Sequence, residues 1–236
     1  MKSRHASRGF TLVELLVALF AMALLAVMSW RGLDGMTRAQ AQTEARADEV
    51  LTLQVGLAQW AADLDAIIQL PQIAALDWNG RVLRMTRPGT ASPSDGVVVV
   101  AWGRRVVNGS GTWLRWQSAP ATTREQLQQA WQQADIWSQN PGDEEMRGEV
   151  AVTPLEEWQI FYSRGGAWTN PMSSDATAVK PVTSEFVIGG SATAAATPVS
   201  NLPDGVRLIL TLPPGQAISG KLTRDWVRPT LGGGKS

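Results

Sequence analysis

The chain has no cysteine and a single histidine among its 236 residues. Without cysteine there is no disulfide framework, no Cys₄-type zinc site and no thiol nucleophile. The one histidine, His5, sits in a basic N-terminal stretch. If that stretch is removed, His general-base chemistry, Ser-His-Asp triads and His-ligated metals go with it. A net charge is also missing. The 21 Lys and Arg balance 21 Asp and Glu, which leaves no electrostatic footprint for nucleic acid. One tyrosine and four phenylalanines stand against eleven tryptophans. All but Trp30 follow residue 31, where they are expected mainly to fill the core of a sheet domain. A few exposed tryptophans at an interface are the alternative.

What the chain does have is a long apolar run. Residues 1–9 carry Lys2, Arg4 and Arg8, and residues 10–30 follow as an almost wholly apolar segment. As a helix that segment spans about 31 Å, close to the hydrocarbon thickness of a bilayer. With the cations before it and Asp34 after it, the N-terminus should stay cytoplasmic and the remainder should be exported. Trp30 falls where an interfacial aromatic belongs. Glu14 breaks the run. An acid at the centre of a membrane helix costs on the order of 3 kcal/mol, and less near the end. It marks a functional residue by default, the bland alternative being a carboxylate that snorkels to the headgroups.

The order Gly9-Phe10-Thr11-Leu12-Val13-Glu14, after a basic leader and before an apolar run, resembles the type IV prepilin signature. The resemblance implies cleavage between Gly9 and Phe10 by a membrane-embedded prepilin peptidase, then N-methylation of Phe10. The new amine would lie one turn from Glu14 and within reach of a neighbouring chain's Glu14. In lipid such an ion pair is strongly favoured over two lone charges, so it can set the stagger of packed helices. Two other readings fit less well. A secretory signal peptide cut near Ala21-Met22-Ala23 would hold Glu14 inside its apolar region and leave apolar sequence to Met28 beyond the cut. A plain uncleaved anchor explains the span but not the order of residues. Removal of residues 1–9 would leave 227 residues with 18 basic against 21 acidic, a net charge of −3.

Helical character continues past the apolar run. Between Gly32 and Ile68 there is no proline, and Ala, Gln, Glu, Arg and Leu dominate. Leu33 and Met36, then Val50, Leu53, Leu57, Trp60, Leu64 and Ile67, recur at spacings of three and four. A continuous helix over 10–68, about 88 Å long, is expected to end before Pro71. Gly32 and Gly35 are expected bending points, and 37–49, polar or Ala only, should be exposed.

Beyond 71 the pattern is β-rich. Strands are expected at 81–87, 96–107 and 112–117, the last two joined by the turn Asn108-Gly109-Ser110-Gly111. That turn explains the glycosylation-like Asn108-Gly109-Ser110 better than a glycan does. Thr122 or Thr123 should cap a helix over 124–134. Further strands are expected at 155–164, 206–212 and 222–227, with Val206, Leu208, Leu210 and Leu212 on one face. Residues 140–145 read as an acidic loop, 170–204 as a loose surface excursion and 232–236 as a disordered tail.

A search for chemistry finds little. Gly233-Gly234-Lys235-Ser236 lacks the earlier glycine and following helix of a phosphate loop. Asp135, Asn140, Asp143, Glu144 and Glu145 could ligate calcium but lack the alternating spacing of a calcium loop. Asp63/Asp65 and Glu156/Glu157 read as ordinary surface charges. A serine nucleophile with a lysine base has no evident arrangement. No catalytic residue, metal or cofactor is assigned, and an assembly role is favoured over an enzyme.

Three further patches resemble the J-type minor pseudopilin of type II secretion. They are Trp30-Arg31-Gly32-Leu33-Asp34-Gly35 leading into Trp60-Ala61-Ala62-Asp63-Leu64, then Leu155-Glu156-Glu157-Trp158 through Gly165-Gly166-Ala167-Trp168, then Leu202-Pro203-Asp204-Gly205-Val206-Arg207-Leu208. The helix at 124–134 and the excursion depart from that pattern. The resemblance implies a pilin-like α+β fold: a long N-terminal helix, half membrane-spanning and half packed on an antiparallel β-rich globular head. It divides the chain into leader 1–9, membrane half 10–30, exported helix half 31–70, periplasmic head 71–231 and tail 232–236. It implies I- and K-type minor pseudopilins as partners at a pseudopilus tip, with the major pseudopilin a further candidate. A minor pilin of a type IV pilus is the nearest alternative; a single-span periplasmic enzyme or sensor is the alternative from another class.

Overall fold

The computed structural model describes residues 10–89, 96–173 and 202–229. The leader 1–9, most of the 170–204 excursion and the 232–236 tail lie outside the described residues. Among the described residues the chain is α+β, with one long helix followed by two antiparallel sheets and two shorter helices.

Helix α1 runs unbroken from Leu12 to Asp65, 54 residues and about 81 Å. Two compact units divide at Asp48 and Glu49. The first unit is helical from Leu12, and all its described residues, the apolar run and 37–48 alike, are exposed. Gly32 and Gly35 stay within the helix. Among the described residues, α1 is the helix long and apolar enough to cross a membrane.

The second unit is the head. In it α1 buries Leu53, Gly56, Trp60, Asp63 and Leu64, a stripe at helical spacing. The helix stops at Asp65, earlier than the expected 68. The Ile67 N–H tightens onto the Leu64 carbonyl, and the Ile68 N–H leaves the helix for the Thr86 carbonyl at 3.0 Å. A hydrogen bond to a strand, rather than Pro71, ends it.

The first sheet holds five strands in sequence order: β1 (Leu76–Trp78), β2 (Val82–Pro88), β3 (Val97–Val107), β4 (Ser110–Gln117) and β5 (Glu149–Pro154), all antiparallel neighbours. The β3–β4 hairpin turns at Asn108 and Gly109, both at positive φ, as an Asn-Gly turn requires. The second sheet has the order β7-β6-β8-β9, from β6 (Glu157–Arg164), β7 (Ala167–Thr169), β8 (Gly205–Leu212) and β9 (Gly220–Val227). Strands β1, β5 and β7 are not among the strands expected from the sequence. Three residues show no period, and in Glu149–Pro154 only Thr153 is buried.

The head has two apolar clusters. One joins α1 to both sheets through Leu53, Trp60, Trp102, Trp113, Leu208 and Leu210, among others. The other lies on the opposite face of the five-stranded sheet, where Val99, Ala101 and Leu114 meet α2 (Arg124–Gln139) at Leu127, Ala130 and Ala134. Thr123 caps α2 and forms a capping box with Gln126. The helix runs to Gln139, past the expected 134, because Trp137 is buried and stacks on Trp116 at 6.2 Å. The short α3 (Asp143–Met146) begins inside the expected acidic loop and ends one residue past it. Seven of the tryptophans, 60, 78, 102, 113, 116, 137 and 226, are buried, as the composition implied. On β8 the alternation holds, with Val206, Leu208, Leu210 and Leu212 buried.

Helix α1 approaches β5 closely. Trp113 pairs with Thr153 and Leu114 with Ala151, so Val152 is an extra, bulged residue. A Cβ added at Gly56 would collide with Val152 Cγ1. Gly56→Ala should therefore destabilise the head by about 1–3 kcal/mol through overpacking, against a gain of about 1 kcal/mol in helix propensity. Urea unfolding of the full chain, followed by tryptophan emission, reads the difference. An unchanged or raised midpoint would refute the close-approach account.

Candidate functional site

The N-terminal end of α1 is built from local chemistry. Thr11 and Glu14 form a reciprocal cap: the Thr11 N–H and hydroxyl donate to Glu14 Oε2 at 3.0 and 2.9 Å, and the Glu14 N–H donates to Thr11 Oγ1 at 3.3 Å. A Thr-x-x-Glu sequence satisfies helix N–H groups that have no partner within the helix. Glu14 thus turns back over the first helical turn toward the residue that follows Phe10. Phe10 is described and exposed, while Gly9 lies outside the described residues.

In the head, the side chain with the densest polar contacts is Asp63 of α1, which is fully buried. The Arg87 guanidinium from β2 donates to Oδ1. Arg115 from β4 donates Nε to Oδ2 at 2.8 Å and Nη2 to Oδ1 at 3.0 Å. Trp102 from β3 donates its indole N–H to Oδ2 at 2.9 Å, and Gln59 donates to Oδ1 at 2.9 Å. The expectation that Asp63 is an ordinary surface charge is wrong. The position lies on the buried stripe of α1, and an acid inside an apolar stripe was the signal available. Asp65, its expected companion, is exposed but accepts the Trp226 indole N–H at 2.7 Å. Glu156 and Glu157 are exposed, as expected of surface charges.

Two smaller ion pairs stitch the remaining layers. Arg105 pairs with Glu149 at 2.5 Å, and Trp137 donates to the same carboxylate at 2.6 Å, which ties β3, β5 and α2 together. Arg207 forms a two-point pair with Asp225, both bonds 2.7 Å, and lies 4.3 Å over the Trp168 ring. The hydrogen bonds from Arg207 hold the Asp225 carboxyl below its usual range, and the same bonds raise Arg207.

The second and third family-like patches meet in space. Asp204 Oδ2 accepts the Gly165 N–H at 2.9 Å, and the Asp204 N–H donates to the Ser163 carbonyl at 2.8 Å. Trp158 packs edge-on against Trp78, with centroids 4.8 Å apart.

In the 135–145 region, Asp135 and Glu145 have partners of their own. Asp135 accepts from Asn79 and Gln139 and lies 3.5 Å from Arg84, while Glu145 accepts the Gly142 N–H. Among the described residues no three His, Cys, Asp or Glu are grouped to hold a metal.

Residues 4–30 match the prokaryotic N-terminal methylation motif. The chain therefore carries that motif at the head of a helix of membrane-spanning length. A chain of the crystal structure of the GspK-GspI-GspJ complex from the enterotoxigenic Escherichia coli type 2 secretion system is similar to it. The two are 15% identical, the match covers 76% of this chain and 96% of that one, and the TM-score is 0.38. No protein of curated function matches the chain in sequence.

Asp63→Ala should leave the buried Arg87 guanidinium without its carboxylate, deprive the half-buried Arg115 of its ion pair, and cost about 3–5 kcal/mol of head stability. Double-mutant cycles with Arg115→Met, read by urea unfolding, should return a large coupling energy. Additive effects would count against the network.

Proposed function

We propose that this chain is a minor pseudopilin of type II secretion, of the J type. Its part is to assemble with other minor subunits at the pseudopilus tip and so support export of folded proteins across the outer membrane. The observation that carries the proposal is the methylation motif at residues 4–30, continuing as a single helix whose last turns are buried in a β-rich head. The J-type assignment rests on the three sequence patches and their order along the chain.

In this reading the chain inserts into the inner membrane with residues 1–9 in the cytoplasm and the head in the periplasm. Prepilin peptidase cuts after Gly9, and Phe10 is methylated. The amine freed on Phe10 adjoins Thr11, whose N–H and hydroxyl already hold Glu14. Glu14 then exchanges part of this neutral cap for the amine, its own or a neighbour's. The exchange is favourable in lipid, where an ammonium beside the carboxylate offsets its charge and the neutral Thr11 donors do not. The spans bundle, and the head docks beside I- and K-type minor pseudopilins, with the major pseudopilin below them in the same fibre. The chain works here as a structural subunit, with no reaction assigned to it.

Gly9→Ala should leave an uncleaved precursor on blots of membranes, and product of mature size would sink the prepilin reading. In the same membranes Glu14→Leu should be cleaved normally yet recover several-fold less of the I- and K-type subunits on co-purification. Recovery of pilus minor subunits in their place would assign the chain to a type IV pilus.

A further inference from the structure

The head has an open cleft of about 430 Å³ between α1 and the free edge of the five-stranded sheet. Leu51 and Val55 form its helix wall, Val150 and Val152 form its strand wall, and Trp102 and Arg115 lie at its floor. Leu51, Val55 and Val150 are 56, 67 and 58% exposed, so three aliphatic side chains ring a guanidinium and face water. The pairing of β3, β4 and β5 places Trp102, Arg115 and Val150 in one row across the sheet.

The floor carries a charge surplus. Asp63 is the one carboxylate paired with both Arg87 and Arg115. Two cations on one anion leave an excess positive charge in a partly desolvated place. Arg115 spends Nε and Nη2 on Asp63 and Gln117, and its Nη1 has no acceptor among the described residues. A guanidinium with spare donors between aliphatic walls is complementary to a carboxylate that arrives with apolar flanks.

The walls restrict the form in which that carboxylate arrives. Strand β5 carries a bulge at Val152 and ends at Pro154, two devices that blunt addition of a further strand. Leu51 and Val55 stand one turn apart on α1 and form a ridge of the kind that packs into the groove of a second helix. We propose that this cleft docks an amphipathic α-helix of a partner protein, with aliphatic residues on Leu51, Val55 and Val150 and one Asp or Glu on Arg115. The proposal stands on the chemistry of the cleft and does not depend on the secretion reading.

The test uses the full chain in phosphatidylcholine nanodiscs, with empty nanodiscs as the blank. The probe is a labelled synthetic helical peptide with a single Glu flanked by Leu at i−4 and i+3, titrated by fluorescence anisotropy. Binding should be about tenfold tighter than for the same peptide with Gln, the size of one charge-assisted contact. Arg115 also holds Asp63, so the protein variants are placed on the exposed rim. Leu51→Glu and Val55→Glu should each weaken binding about tenfold while tryptophan emission from the head stays native. Equal affinity for the Glu and Gln peptides would overturn the proposal, as would binding indifferent to both rim variants. Oleate displacing every peptide without regard to its Glu would overturn it too, and would make the cleft a fatty-acid site.

Discussion

The head is organised around one buried carboxylate. Asp63 leaves the face of a helix and collects donors from three successive strands of one sheet, β2, β3 and β4. Burial of an unpaired carboxylate would cost several kcal/mol, so the position is tolerable only when its donors arrive together. The charge therefore acts as a register mark. Sliding α1 by one residue along the sheet would carry Asp63 off its donors and strand two guanidiniums. Apolar packing alone tolerates such slips more readily, since Leu53, Trp60 and Leu64 could find other apolar neighbours.

That constraint explains features which look unrelated. Gly56 sits two turns before Asp63 and lets the helix backbone come down on the bulged Val152. Trp102 stands in the middle of the sheet, where its ring packs against Trp113 at 4.5 Å and its N–H serves Asp63. The early end of α1 belongs here too. Once Asp63 is fixed, the chain turns within a few residues and joins Ile68 to Thr86, next to Arg87 in β2. The positive charge at the floor of the cleft belongs to the same node, since Arg87 and Arg115 share the one anion.

The two ends of α1 solve opposite problems with the same residue class. At Glu14 an acid in an apolar run is held by the nearest possible partner, Thr11, three residues away. At Asp63 an acid in an apolar stripe is held by partners 24, 39 and 52 residues away. The first is readable from a short motif, because a Thr-x-x-Glu cap and a leader-Gly-Phe order are local statements. The second is not, because nothing within a helical turn of Asp63 announces Arg87 or Arg115.

The same division runs through the chain. Local order determined the apolar run, the prepilin-like signature, the long helix, the Asn-Gly hairpin, the Thr-capped α2 and the alternation of β8. Each depends on neighbours within a few positions, where periodicity and turn chemistry are decisive. Strands β1 and β5, the end of α1, the extension of α2 to Trp137, and the roles of Asp63 and Arg115 were decided by tertiary structure. A three-residue strand exists only as a partner of β2, and a strand at a sheet edge carries little period of its own. The composition pointed to a tryptophan-filled core but could not say which acid lay inside it. Burial of a charge is settled by what surrounds it in space, and here its surroundings come from four separate elements.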